Sequence, residues 1–111
     1  MENKQTIAFA DFAKIDVRIG KVLVSEKIPA TDKLLKLVVD FGSEQRTIIT
    51  AMAEFFEPEY FVGKEIPVLF NLEPRNIKGI ESQGMILAAE HDGKPCLLHP
   101  EKEIPAGSPV R

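Results

Sequence analysis

The chain has 111 residues, 44% of them hydrophobic, enough for one core and one domain over residues 1–111. With 14 basic against 17 acidic side chains the net charge is −3, which argues against a general polyanion binder and confines any nucleic-acid reading to a local patch. Cys96 is the lone cysteine, so an internal disulfide and a cysteine-rich zinc cluster are excluded. No run approaches the roughly 18 apolar residues of a membrane helix, and the expectation is a soluble, cytoplasmic protein without a signal peptide.

In chain order, ADFAKI predicts a short helical turn capped by Asp11. Ile15, Val17 and Ile19 then alternate with Asp16 and Arg18, the period of a half-buried strand that resumes at Val22-Leu23-Val24. Gly20 inside that run suggests a bulge or sharp bend. EKIPATDK reads as a turn region, and LLKLVVDFG as a strand turning Leu35, Leu37, Val39 and Phe41 to one face. A hairpin connection leads to the β-branched strand RTIITAM. A short helix is expected near Pro58, then a fourth strand, KEIPVLFNL, in which Pro67 marks an edge or bulge. EPRNIKGIESQG is a polar loop longer than the usual two to six residues, a length that tends to be functional. GMILAAE forms the fifth strand, and an Asp92-Gly93 turn, a short CLLH strand and a proline-rich tail follow.

This order predicts an all-β protein: a five-stranded Greek-key barrel, the OB-fold, with a short helix between strands three and four and short terminal extensions. An SH3-like barrel is the competing architecture. Catalysis finds little support. His91, His99 and Cys96 do not form a nucleophile–base–orienter set, no GxxxxGK phosphate loop is present, and no metal-ligand spacing appears. The reading is a non-enzyme that carries no cofactor or metal.

OB-folds bind oligonucleotides on strands two and three and through the loops joining strands one to two and four to five. Those loops hold Lys27 and Lys33, and Arg75 and Lys78, while Arg18 and Lys36 lie on adjoining strands. Phe9, Phe12, Phe55, Phe56, Tyr60 and Phe61 fall elsewhere and are expected in the core. A face without aromatic platforms suits a folded RNA read by shape, phosphates and 2′-hydroxyls better than unstacked strands.

Three stretches, DFAKIDVRIGKV, PATDKLLKLVVDFG and VGKEIPVLFNLEPRNIKGIESQGMILAAE, together resemble the tRNA-binding domain family. That family includes the C-terminal domain of methionyl-tRNA synthetase, free-standing tRNA-binding proteins and the secretion chaperone CsaA. Asn71, Leu72, Pro74, Arg75, Gly79, Ser82, Gln83, Gly84 and Met85 match its NLxPRxxxGxxSQGM pattern. The resemblance implies an OB-fold that binds the outer corner of the tRNA L without catalysis, as a homodimer whose terminal segments help form the interface. The implied binding side comprises Arg18, Lys33, Asn71, Arg75, Lys78, Ser82, Gln83 and Met85, with Lys36 on the adjoining strand. Two stretches depart from the family: Ala30-Thr31-Asp32-Lys33 replaces Asn-Ala-Asp-Lys, and Thr50-Ala51 replaces Ser-Gly.

The motif also reads physically. Pro74 rigidifies the loop's start, Gly79 and Gly84 permit turns or close approach, and Arg75 and Lys78 suit phosphates. Ser82 and Gln83 suit ribose or base edges, Met85 suits core packing, and Glu81 moderates the patch unless it pairs with Arg75 or Lys78. The alternative reading, from another class, is a CsaA-like chaperone holding extended peptides in apolar grooves. A third makes the chain an assembly partner of an aminoacyl-tRNA synthetase.

Overall fold

The computed structural model describes residues 2–111, and its framework is one curled antiparallel sheet. The long strand β1 (Val17–Lys27) is shared along it. Its first half pairs with β4 (Glu65–Leu69), its second half with β2 (Leu35–Asp40). Outward from β2 lies β3 (Gln45–Thr50), and outward from β4 the two-residue β7 (Met85–Ile86). Alternation along β2 buries Leu35, Leu37 and Val39, which pack with Val22, Ile48, Phe61, Ile66 and Val68 in the hollow of the curl. The expected all-β class is what the chain adopts.

A glycine is needed within β1, for a different reason from the one expected. The register shift of a bulge lies between Val22 and Val24, past Gly20. At Gly20 a Cβ would run into Val39 Cγ1 and come within 2.8 Å of Phe41 Cε1, so the core itself occupies the side-chain position. Pro67 lies mid-strand in β4, opposite Ile19 of β1; on its other side its carbonyl accepts the Leu87 N–H at 3.0 Å, just past the two-residue pairing with β7.

Other expectations change more. The helical turn α1 (Phe9–Phe12) is capped by the backbone at Ala8, and Asp11 sits inside it, 3.9 Å from Lys14. Between β3 and β4 the chain makes one 3-10 turn, Pro58–Tyr60. Of the aromatics expected in the core only Phe61 is fully buried; Phe56 is partly buried and stacks on Tyr60 at 4.8 Å, while Phe9, Phe12, Phe55 and Tyr60 stay largely exposed. GMILAAE divides into β7 and β8 (Ala88–His91), the latter forming a hairpin with β9 (Lys94–Leu97) through Asp92-Gly93. The tail returns to β1, where Ile19 donates to the Ser108 carbonyl at 2.9 Å and β10 (Pro109–Val110) pairs with Val17 and Arg18.

Candidate nucleic-acid interface

The polar loop 73–84 is itself a β-hairpin: β5 (Arg75–Ile77) pairs with β6 (Ile80–Ser82), with Ile77 facing Ile80 beside the turn. Lys78 (φ 54°) and Gly79 (φ 81°) form a two-residue turn with both backbones left-handed, the arrangement whose twist matches the flanking strands. Asn76 accepts the Gly79 N–H at 3.0 Å. The hairpin therefore holds Lys78 at its tip and Arg75 at its base. Lys78 lines one cleft of ≈330 Å³ with Ala30, Thr31, Asp32 and Lys33 of the loop after β1. Cations 45 positions apart in sequence thus line one cleft. Ala30, where the family has asparagine, has φ 66°, a conformation asparagine tolerates better than alanine.

Several of the motif's polar residues are tied into the framework. Ser82 is 4% exposed; its hydroxyl accepts the Ile49 N–H at 3.0 Å and donates to the Gly84 carbonyl at 3.3 Å. Gln83 pairs with Thr47 twice, backbone N–H to carbonyl at 2.9 Å and side-chain oxygen to N–H at 3.3 Å. These bonds join the hairpin to the free edge of β3, where no regular ladder runs. The carboxamide of Asn71 accepts the Asp16 N–H at 2.9 Å and donates to the Lys14 carbonyl at 2.7 Å, tying the N-terminal segment to the end of β4.

Around Phe70 the arginines gather. Arg18 and Arg46 lie 3.9 and 3.4 Å from the ring centroid, and Phe41 meets the ring edge-on at 5.0 Å. Arg46 escaped the sequence reading. Its one signal is parity, since it pairs with the fully buried Val39 and so carries a charge at a core-facing position.

Charge pairing sorts the candidates. Arg18 is engaged by Asp16 through Nε and Nη2 at 3.1 and 2.8 Å, and Lys36 lies 3.9 Å from Glu26 across the β1–β2 pair. Among the described residues, no carboxylate lies within 4.0 Å of Lys27, Lys33, Arg75 or Lys78, and Glu81 pairs with none of them. Met85, expected to pack inward, is 43% exposed and pairs with Leu69.

The hydrogen bond from Arg18 holds the Asp16 carboxyl below the usual carboxylate range, against the opposing effect of its desolvation, and raises the Arg18 guanidinium in turn. A carboxyl depressed in the folded state stabilises above its unfolded pKa of about 3.9, and that contribution is lost as pH falls through the folded value. Asp16→Asn should therefore lower stability at neutral pH, and its gap from the parent protein should close on acidification below about pH 4. Urea unfolding at a series of pH values checks this; a gap independent of pH counts against it.

The comparisons with known proteins agree with this architecture. The family model described as "Putative tRNA binding domain" matches residues 17–109. Methionine–tRNA ligase of Archaeoglobus fulgidus is 52% identical over 110 residues, covering 99% of this chain and 17% of the ligase. The ligase of Parabacteroides distasonis is 48% identical over 109 residues, covering 97% of this chain and 16% of that protein. The chain thus spans about one-sixth of the length of these relatives. Among solved structures, the MetRS-related protein from Pyrococcus horikoshii superposes with a TM-score of 0.93 at 40% identity, covering 97% of this chain and 100% of that one. Chaperone CsaA from Bacillus anthracis gives 0.86 at 28% identity, covering 96% of this chain and 100% of its own. By the family model and by these identities over nearly its whole length, the chain belongs to the tRNA-binding domain family.

Proposed function

We propose that this chain is a non-catalytic, structure-directed tRNA-binding module, a five-stranded Greek-key OB barrel that grips the outer corner of the L as a homodimer in the cytoplasm. One observation carries the reading. Of the candidate cations, Lys27, Lys33, Arg75 and Lys78 have no carboxylate within 4.0 Å among the described residues, and Lys33 and Lys78 share a cleft. On a molecule of net charge −3 this is a local positive ridge, the pattern a phosphate backbone requires. In this reading Lys33, Arg75 and Lys78 meet phosphates, Lys36, Arg18 and Met85 border the contact, and Asn71, Ser82 and Gln83 hold the ridge in shape. Two-fold symmetry doubles a patch that is small on one protomer.

A mobility-shift titration tests it. Intact tRNA should bind more tightly than a single-stranded oligonucleotide of equal length, and if roughly five phosphates are engaged the affinity should fall steeply with salt. Preference for the oligonucleotide, or no binding at low salt, defeats the reading.

A second reading, a chaperone of the CsaA type holding extended peptides, has its own support in the structural likeness to chaperone CsaA and in an apolar groove of ≈560 Å³. The groove is lined by Phe12, Val17, Ile19, Leu98 and Val110 among others. Binding of a denatured client that persists at high salt would favour it. In either reading a synthetase remains a candidate partner, and co-purification tests that.

A further inference from the structure

The hairpin bearing Arg75 and Lys78 has three residues in each strand, and an isolated two-stranded hairpin is marginal in water even at greater length. Ser82 and Gln83 secure only its returning strand, to β3. Its outgoing side, from Phe70 through Pro74, is tied at its start to Lys14 and Asp16 through Phe70 and Asn71, and needs a restraint to the returning strand.

Arg46 supplies one. Its Nη1 donates to the Phe70 carbonyl at 2.6 Å, just before the loop, and to the Gln83 carbonyl at 3.3 Å, just after the hairpin. One nitrogen thus ties together the two ends of the segment that presents the ridge. The guanidinium is itself fixed, by Glu44 accepting from Nε at 2.9 Å and by the Phe70 ring 3.4 Å from its central carbon. The side chain is 19% exposed, and the residue borders a cleft with Asn71, Leu72, Glu73, Pro74 and Gln83. This arrangement uses the planar fork of arginine: a lysine could keep the charge and reach one acceptor, but could not hold the carboxylate and the carbonyls from fixed positions while lying over the ring.

We infer that Arg46 is a positioning residue for RNA binding, a staple that sets the angle of the 75–82 hairpin and thereby the placement of Arg75 and Lys78. The inference rests on the proposed tRNA-binding function. It assigns Arg46 no contact with the RNA, and it makes charge alone insufficient at this position.

The discriminating substitution is Arg46→Lys, examined by tRNA titration over a range of salt and by amide hydrogen exchange. The expected result is a tenfold or greater loss of tRNA affinity despite the conserved charge, with faster exchange at residues 75–83 and unchanged protection in β1 and β2. Arg46→Gln should behave like Arg46→Lys. If Arg46→Lys binds as the parent does while Arg46→Gln loses affinity, the residue acts as a point charge on a phosphate and the inference is overturned. Unchanged exchange in the hairpin also overturns it, as does faster exchange with affinity intact. Failure of the parent protein to bind tRNA would defeat the proposed function instead, and hydrogen exchange in Arg46→Lys would still decide whether Arg46 staples the hairpin.

Discussion

Replacing Lys33 and Lys78 together by glutamate is expected to weaken tRNA binding by at least about a hundredfold and leave the unfolding transition in place. A contact to a charged group contributes roughly 1.5–3 kcal/mol when lost, and each 1.4 kcal/mol is tenfold in affinity, so two such contacts amount to about two orders of magnitude or more. Reversal adds repulsion, because Asp32 already lines the shared cleft and Glu81 stands in the adjacent strand. Stability should be spared because both lysines are exposed and no carboxylate lies within 4.0 Å of either among the described residues. The corresponding alanine variants serve as the control: each should weaken binding evenly across tRNAs and lower the salt slope by about one. A titration in which the double glutamate variant binds as tightly as the parent would remove the ridge from the mechanism.

Periodicity made the curled sheet legible, because strands half-buried against one core must alternate; Leu35, Leu37 and Val39 sit on the face that alternation assigns them. The hairpin within the long loop was harder to see. Its turn residues are Lys78-Gly79, and a lysine with positive φ has no propensity that announces it, although Ile77 and Ile80 flanking a two-residue break were the available signal. The motif gave the place of Asn71, Ser82 and Gln83 and assigned them to the RNA side, Ser82 and Gln83 to ribose or base edges, but their bonds to the framework were not legible. A hydroxyl or carboxamide suits a ribose and a backbone amide equally well, and only tertiary structure brings Ile49, Thr47 and Lys14 within reach. The aromatic residues misled for a related reason. Phe9 and Phe12 have the composition of core, yet they belong to a segment that no second layer of the chain covers.

That uncovered segment leads to the other large effect expected: Phe12→Asp should convert the proposed dimer to a monomer and weaken tRNA binding by about 10²–10⁴-fold, although position 12 contacts no RNA in the proposed mode. Helix α1 is only four residues long, far below the roughly 12–15 at which an isolated helix becomes marginal in water, and none of its residues is buried. Phe9 is 79% exposed, and Ile7, Ile15, Leu98 and Val110 are also largely open. Both ends of the chain contribute to this surface, since Phe12 and Val110 line the same groove. A second copy applying the same patch would cover it by two-fold symmetry, each protomer's α1 against its partner's groove. An aspartate there would have to lose its hydration in the interface. In the protomer the same change is tolerated, because Phe12 adds nothing to the core cluster. Two consequences then separate in measurement. Light scattering should report the halved mass, and titration should show lower affinity with a smaller salt slope, as each complex loses one of its two ridges. A monomeric parent protein, a Phe12→Asp variant that stays dimeric, or a monomer that keeps full affinity would each break the link between the apolar patch and the cationic ridge.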